Sequence, residues 1–398
     1  MRVARGRFLR VWIAQTVSLF GDFIAAFAVQ VAVVFRMHGS ARDATGVLLA
    51  SLAPSIVLGP VAGVFADRWD PRRTMIVSDV ARGVLILLLA FVTTLPQLYA
   101  LCFLVSCFSS FFAPAQSITI PLLVKREDLL AAGARMQQTM QLARIVSPAA
   151  AGAIAAGLGE SACYYADSLS FFFSAAMLAT LMYRRPATVQ PRRARAIGTE
   201  LIQGLRFLFT NPTLSFVTIS WAAGTFAAGC FGALASLYVR DVLRAHASVL
   251  GMIGSMIGLG TLAGSAVVAR LARGHEAARG RNAAPLIGIG MLLVGSAILL
   301  LAMFPNRAAA LTGATGIGLG VAVVMVAATA LLQGETPAEM RGRVSSGSAS
   351  VMSMAYAAAI IVSGGWAARV GVLPVFFLSA TLLFVTGLWG IWRCKRAE

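Results

Sequence analysis

Gly63-Val-Phe-Ala-Asp67-Arg68-Trp69-Asp70-Pro71-Arg72-Arg73 is a short polar turn set between two long apolar runs, at 46–66 and 74–94. Each run has about the twenty residues that a helix needs to cross a bilayer. The turn therefore reads as a loop between two membrane-spanning helices. Gly63 allows a second helix to approach closely. Asp67 sits where a helix leaves the membrane and can accept from an Arg or from a neighbouring helix N-terminus. Such a cluster can latch helices in one conformation, and the bland alternative is a basic loop that only sets topology.

The same reading extends in both directions. Apolar runs at 9–35, 46–66, 74–94, 98–123, 137–158, 163–183, 213–237, 249–269, 284–304, 308–332, 345–368 and 373–392 predict twelve spans. The fold class expected is an all-α membrane protein. Composition agrees: of 398 residues, 59% are hydrophobic and only 12% charged, too few charges to cover a soluble domain of this size. With the N-terminus inside, the loops on the outer side hold only Arg36, Arg42, Arg240, Arg244, Arg307 and Arg369 of the 33 basic residues. Nearly all the rest fall on the inner side, so both termini are expected in the cytoplasm. The net charge of +18 is accounted for by this topology and by anionic lipid, and no nucleic-acid partner is expected. Arg2, Arg5, Arg7 and Arg10 resemble the basic start of a signal peptide. The apolar segment after them is long and carries Asp22, which argues against a cleaved leader.

The longest polar stretch, 184–212, carries an Arg run and then Leu201–Phe209, which reads as an amphipathic helix at the inner surface. It divides the chain into a six-span bundle (1–183), a linker (184–212) and a second six-span bundle (213–398). Two halves of equal span number match the repeat plan of secondary transporters.

Charges inside spans are costly and mark function by default. Asp22 lies in the middle of span one, with Gln15 and Ser18 on the same helical face. Arg144 lies in span five, in a stripe with Gln137 and Gln141. Asp22 is expected to be a proton-coupling or substrate-binding carboxylate paired with Arg144, and the alternative is a structural ion pair. Phe112 and Gln116 of span four, with Phe103, Phe108 and Phe111, are candidates to line an apolar cavity. Asp79 and Arg82, near the inner end of span three, are placed to form a local pair, with a part in an inner gate as the alternative. Asp167, near the outer end of span six, has an equal claim to reach water.

The turn at Gly63–Arg73 matches the pattern G-x-x-x-D-R-x-x-x-R-R, and the chain resembles the major facilitator superfamily. Gln15-Thr-Val-Ser18-Leu-Phe-Gly21-Asp22, Phe111-Phe112-Ala113-Pro114-Ala115, Asn211-Pro212 and Pro337-Ala-Glu339-Met-Arg341-Gly342-Arg343 resemble its twelve-span drug:proton antiporter branch, which includes macrolide-efflux and enterobactin-exporter proteins. Span four lacks the embedded Arg of many such antiporters, and span five keeps only Ser147-Pro148 with Gly152. The resemblance implies two pseudo-symmetric bundles that rock about a central cavity. It also implies proton-driven efflux of an amphipathic drug or siderophore, and placement in the bacterial inner membrane. The conformational gate would comprise Gly63, Asp67, Arg68, Arg72, Arg73, Asp79, Arg82, Arg341 and Arg343. A lysophospholipid flippase or uniporter of the same fold is the alternative, and a receptor the third reading.

An enzyme is not expected. His38, His246 and His275 lie in loops, and no HExxH, GxSxG or Walker A pattern occurs. No metal or cofactor is expected, the proton gradient supplying the energy. The partners expected are a small-molecule substrate and the lipid bilayer, with one copy of the chain sufficient. The five cysteines imply no disulfide framework. Gly316-Ile-Gly318-Leu-Gly320 sits in an apolar run with no strand before it, so close helix packing is expected there rather than nucleotide binding.

Overall fold

A computed structural model describes residues 2–66, 68–125, 128–181, 194–274, 284–337 and 339–395. Asp67, His275 and the Arg run within 184–193 lie outside the described residues. Thirteen α-helices occur among the described residues: α1 (Arg2–Val31), α2 (Ala41–Ala66), α3 (Pro71–Leu89), α4 (Leu95–Leu123), α5 (Leu129–Leu158), α6 (Glu160–Ala179), α7 (Ala194–Thr210), α8 (Pro212–Leu237), α9 (Ala247–Gly274), α10 (Ala284–Met303), α11 (Arg307–Gly334), α12 (Arg341–Val370) and α13 (Val372–Lys395). All are the expected apolar runs except α7, the expected amphipathic segment.

Ten of them are long and apolar enough to cross a membrane. The two exceptions among the twelve expected spans are α3 and α6. Arg72, Arg73, Asp79 and Arg82 lower the hydropathy of α3. Glu160 and Asp167, with Ser161, Ser168, Ser170 and Ser174, do so in α6. The helices that fail the apolar criterion are thus the two that carry most of the interior charge.

Helix ends are set by local chemistry. Asp70 caps α3, accepting from the Arg72 amide at 2.9 Å, with Pro71 as the first helical residue. Asn211 and Pro212 start α8 in the same way, at 2.9 Å to the Thr213 amide. Asn306 caps α11 through the Ala309 amide at 2.8 Å.

The chain divides into two compact units, Met1–Pro191 and Arg192–Glu398. In the first, α1 packs on α5 and α6, α2 on α4, and α3 on α4 and α6. In the second, α8 packs on α12 and α13, α9 on α11, and α10 on α11 and α13. The plan is the same, and so are its local devices. A π-helical turn ends α1 at Ala32–Arg36 and another follows α8 at Tyr238–Val242. Two residues beyond each turn, a non-glycine residue adopts positive φ, His38 at 52° and Arg244 at 47°. Gly159 (φ 84°) joins α5 to α6, and Gly371 (φ 86°) joins α12 to α13, where a side chain would be strained. These matched positions identify an internal structural repeat that residue identity hides.

The glycines of α11 serve packing, as expected. A Cβ on Gly318 would stand 1.9 Å from the Ile257 carbonyl oxygen of α9. One on Gly260 of α9 would stand 2.1 Å from the Thr315 carbonyl oxygen. The two backbones are in contact, an approach that only small residues allow. α7 packs on α8 and α12. Its Leu208 is buried with Leu214 and Val344, while Ile202 and Phe209 face outward.

Candidate functional site

The interior of the first unit is polar where α1, α3 and α6 meet. Arg82 of α3 forms an ion pair with Asp79 one turn earlier, both side chains almost wholly buried. Ser174 of α6 donates to the other Asp79 oxygen at 2.6 Å. The Arg82 guanidinium lies between the rings of Phe112 and Phe171, 4.5 and 4.3 Å from their centroids. Aromatic faces stabilise a cation most where water is excluded. A desolvated charge is tolerable here because Asp79 and two aromatic rings contact it, although its Nε has no hydrogen-bond partner.

Asp167 of α6 is fully buried, and Ser170 donates to its Oδ1 at 3.0 Å. Its Oδ2 has no hydrogen-bond partner. The carboxylate lies against the α1 backbone at Gly21, where a Cβ would stand 2.2 Å from Oδ1 and 2.4 Å from the Ser170 hydroxyl. Gly21 is the position that lets α1 and α6 close on this group. The next residue, Asp22, is half-buried and lies within electrostatic reach of Asp167, Arg82 and Asp79. Asp22 and Asp167 both line a cavity of about 280 Å³ bounded by α1, α2, α3, α4 and α6. Arg82 is the one buried cation among the described residues, against buried Asp79 and Asp167 and half-buried Asp22.

Both ends of this three-helix cluster are tied. At one end Arg36, in the π turn after α1, pairs with Glu160 of α6 at 2.8 Å and donates to the Val92 carbonyl beyond α3 at 3.0 Å. At the other end Arg72 donates to the Leu178 and Ala179 carbonyls that close α6. Arg10 of α1 reaches the Thr180 carbonyl at 3.4 Å. Cations at a helix C-terminus satisfy its free carbonyls and its dipole.

Several expectations about individual residues change. Arg144 is exposed, and no ion pair joins it to Asp22; the cation near Asp22 is Arg82. The helical wheel placed Asp22 and Arg144 on polar faces but carried no information on which helices face each other. Gln137 is also exposed and Gln141 half-buried, so their stripe does not join the cavity lining. Phe112 does not line the cavity: it is buried against Arg82. Phe111 stacks on Trp69 at 5.8 Å. Asp167 does not reach water, because about two helical turns of α6 precede it and α1 covers it. Gln116 donates to Gln15 at 3.0 Å, joining α4 to α1, and Ser18 is buried.

Of the gate candidates, Gly63 lies in α2 and Asp67 outside the described residues, while Arg68 is exposed. Arg73 is exposed, 3.9 Å from Asp70. Arg72 is a cap for α6, and Asp79 and Arg82 belong to the buried core. Arg341 lines an open cavity of about 800 Å³ in the second unit, with Trp221, Gln333, Thr336 and Ser345. The backbone of Arg343 packs on α7, where a Cβ on Gly204 would stand 2.1 Å from its carbonyl oxygen. Asp167 and its Gly21 seat were missed as a pair, although the Gly21-Asp22 step carried the signal.

Long apolar helices in two repeated units, with ionisable groups facing a cavity, define a polytopic membrane transporter. The model of the Major Facilitator Superfamily matches residues 11–354, and the chain belongs to that family. It is 26% identical to macrolide efflux protein A of Streptococcus pyogenes, covering 95% of this chain and 93% of that protein. It is 27% identical to the enterobactin exporter EntS of Salmonella choleraesuis, covering 85% and 80%. A bacterial homologue of the iron transporter ferroportin, crystallised inward-facing, has the same fold, with a TM-score of 0.75 at 15% identity over 97% of this chain and 98% of that one.

Proposed function

We propose that this transporter is a secondary exporter that moves an amphipathic small molecule of drug or siderophore class out of a bacterial cell in exchange for protons. Asp22 is the coupling carboxylate. The observation that carries the proposal is its position: half-buried, at a cavity, beside a second carboxylate, with the one nearby cation already paired to Asp79. A carboxylate so placed exchanges its proton for a cargo contact instead of holding a permanent partner. The names of the efflux relatives support the direction of transport.

In this reading α3 and α6 also cross the membrane and bring the ten spans to twelve. Their buried charges, Asp79, Arg82 and Asp167, face the interior of the unit rather than lipid, which answers the objection that their hydropathy raises. The chain is then multi-pass in the cytoplasmic membrane with both termini inside, as the basic loops require.

The test is compound-evoked proton movement in proteoliposomes across a panel of drugs, siderophores and lysolipids, wild type against Asp22→Asn. The proposal expects at least one compound that moves protons through the wild type and not through the variant. Equal movement through both overturns the role of Asp22. A lysolipid that crosses with no proton movement replaces antiport by flipping or uniport.

A further inference from the structure

The cavity beside Asp22 has an unbalanced hydrogen-bond inventory. The Ser51 and Ser109 hydroxyls on its wall donate to carbonyls of their own helices, Ser51 to Val47 and Ser109 to Val105, each at 2.9 Å. Ser106 donates to the Ser51 carbonyl. The Gln30 side-chain nitrogen is directed to the Ala44 carbonyl at 3.5 Å. The hydroxyl protons are thus committed to backbone, as is one of the two Gln30 amide protons. What remains on the wall, besides the second Gln30 amide proton and the weak Cys102 thiol donor, is acceptor: Asp167 Oδ2 and Gln30 Oε1, both buried and unpartnered, and the Asp22 carboxylate. Buried acceptors without donors are costly and are retained where something else supplies the donor.

Charge points the same way. Arg82 is held by Asp79 and two aromatic rings, which leaves Asp22 and Asp167 without a dedicated cation. The rest of the wall, including Val47, Ile86 and Leu89, is apolar. A ligand that fits has a positive charge, two or more N–H donors and a compact apolar body. The volume of about 280 Å³ is at the small end for ligand pockets, too small for a macrocycle but ample for a single amine-bearing group.

We propose that this cavity binds an organic ammonium group, protonated primary or secondary amine, through Asp22, Asp167 and Gln30. This deepens the export reading and rests on it, because it assigns the charged part of the cargo to the carboxylates that carry the coupling proton. Asp167 is then a binding residue, and its fixed Ser170 contact leaves Oδ2 free for the ligand.

Binding to the full-length protein in nanodiscs is measured with 2-phenylethylammonium, its N,N,N-trimethyl analogue and neutral 2-phenylethanol. The ammonium is expected to bind about tenfold or more tightly than either comparator, the trimethyl compound having charge but no donors. Asp167→Asn is expected to abolish that preference. If Asp167→Asn lowers the melting temperature through its seat on Gly21, Gln30→Leu provides the second reading, with ammonium affinity falling several-fold and melting unchanged. The site is refuted if the alcohol binds as well as the ammonium, or if both variants bind as the wild type does. Amine binding without evoked proton movement would keep the site and remove proton coupling. Asp22-dependent proton movement without amine binding would keep the exporter and remove the site.

Discussion

Replacing Arg82 by Met removes the one buried cation among the described residues and leaves Asp79 with only Ser174 as partner. Breaking a buried pair from one side costs about 3–5 kcal/mol, because the remaining charge is uncompensated. The two ring contacts at 4.3 and 4.5 Å add about 1–2 kcal/mol. The smaller sum, about 4 kcal/mol, corresponds to a factor of about 10³ in the unfolding equilibrium. Asp79→Leu alone strands Arg82 and is similarly harmful. The double variant Asp79→Leu/Arg82→Met leaves neither member of the pair stranded and costs less than the sum of the single changes, giving a large coupling energy of opposite sign to the single costs. Equilibrium unfolding in mixed micelles measures all four corners of the cycle. If the double variant is destabilised by the sum of the singles, the pair is not a mutually compensating buried unit and the description of the core is wrong.

Gly21→Val puts a branched side chain where even a Cβ would stand 2.2 Å from Asp167; α1 and α6 separate, and both the melting temperature and active transport fall, as a thermal melt and a vesicle uptake assay would register. Arg144→Gln, by contrast, changes an exposed side chain outside that cavity; stability should stay within about 0.5 kcal/mol of wild type, as the same thermal melt would register.

The helices were legible because lipid imposes a simple rule: about twenty apolar residues, then charge. Each expected span overlaps an observed helix, and Leu201–Phe209 falls within α7. Partnership was not legible. Asp22 and Arg144 each lie on a polar face, yet a face gives an angle about one axis and not the identity of the neighbour. Asp79 and Arg82 were readable as a pair because three residues separate them on one helix, whereas Ser174, Phe112 and Phe171 reach the same site from other elements. Asp167 was ambiguous because depth depends on what covers a helix, and α1 covers it only through Gly21. The division into two six-span halves was read from the linker, but the matched turns within them were not, for a related reason. His38 and Arg244, or the two π-helical turns, share backbone geometry and not residue type.

The central claim is that Asp22 couples cargo movement to protons. Its most direct test compares uphill and downhill transport of one saturating compound by wild type and Asp22→Asn in the same proteoliposomes. The account predicts that the variant no longer accumulates the compound against its gradient when a proton gradient is imposed, whatever downhill movement the weakened cargo contact leaves. Accumulation at the wild-type level would contradict it.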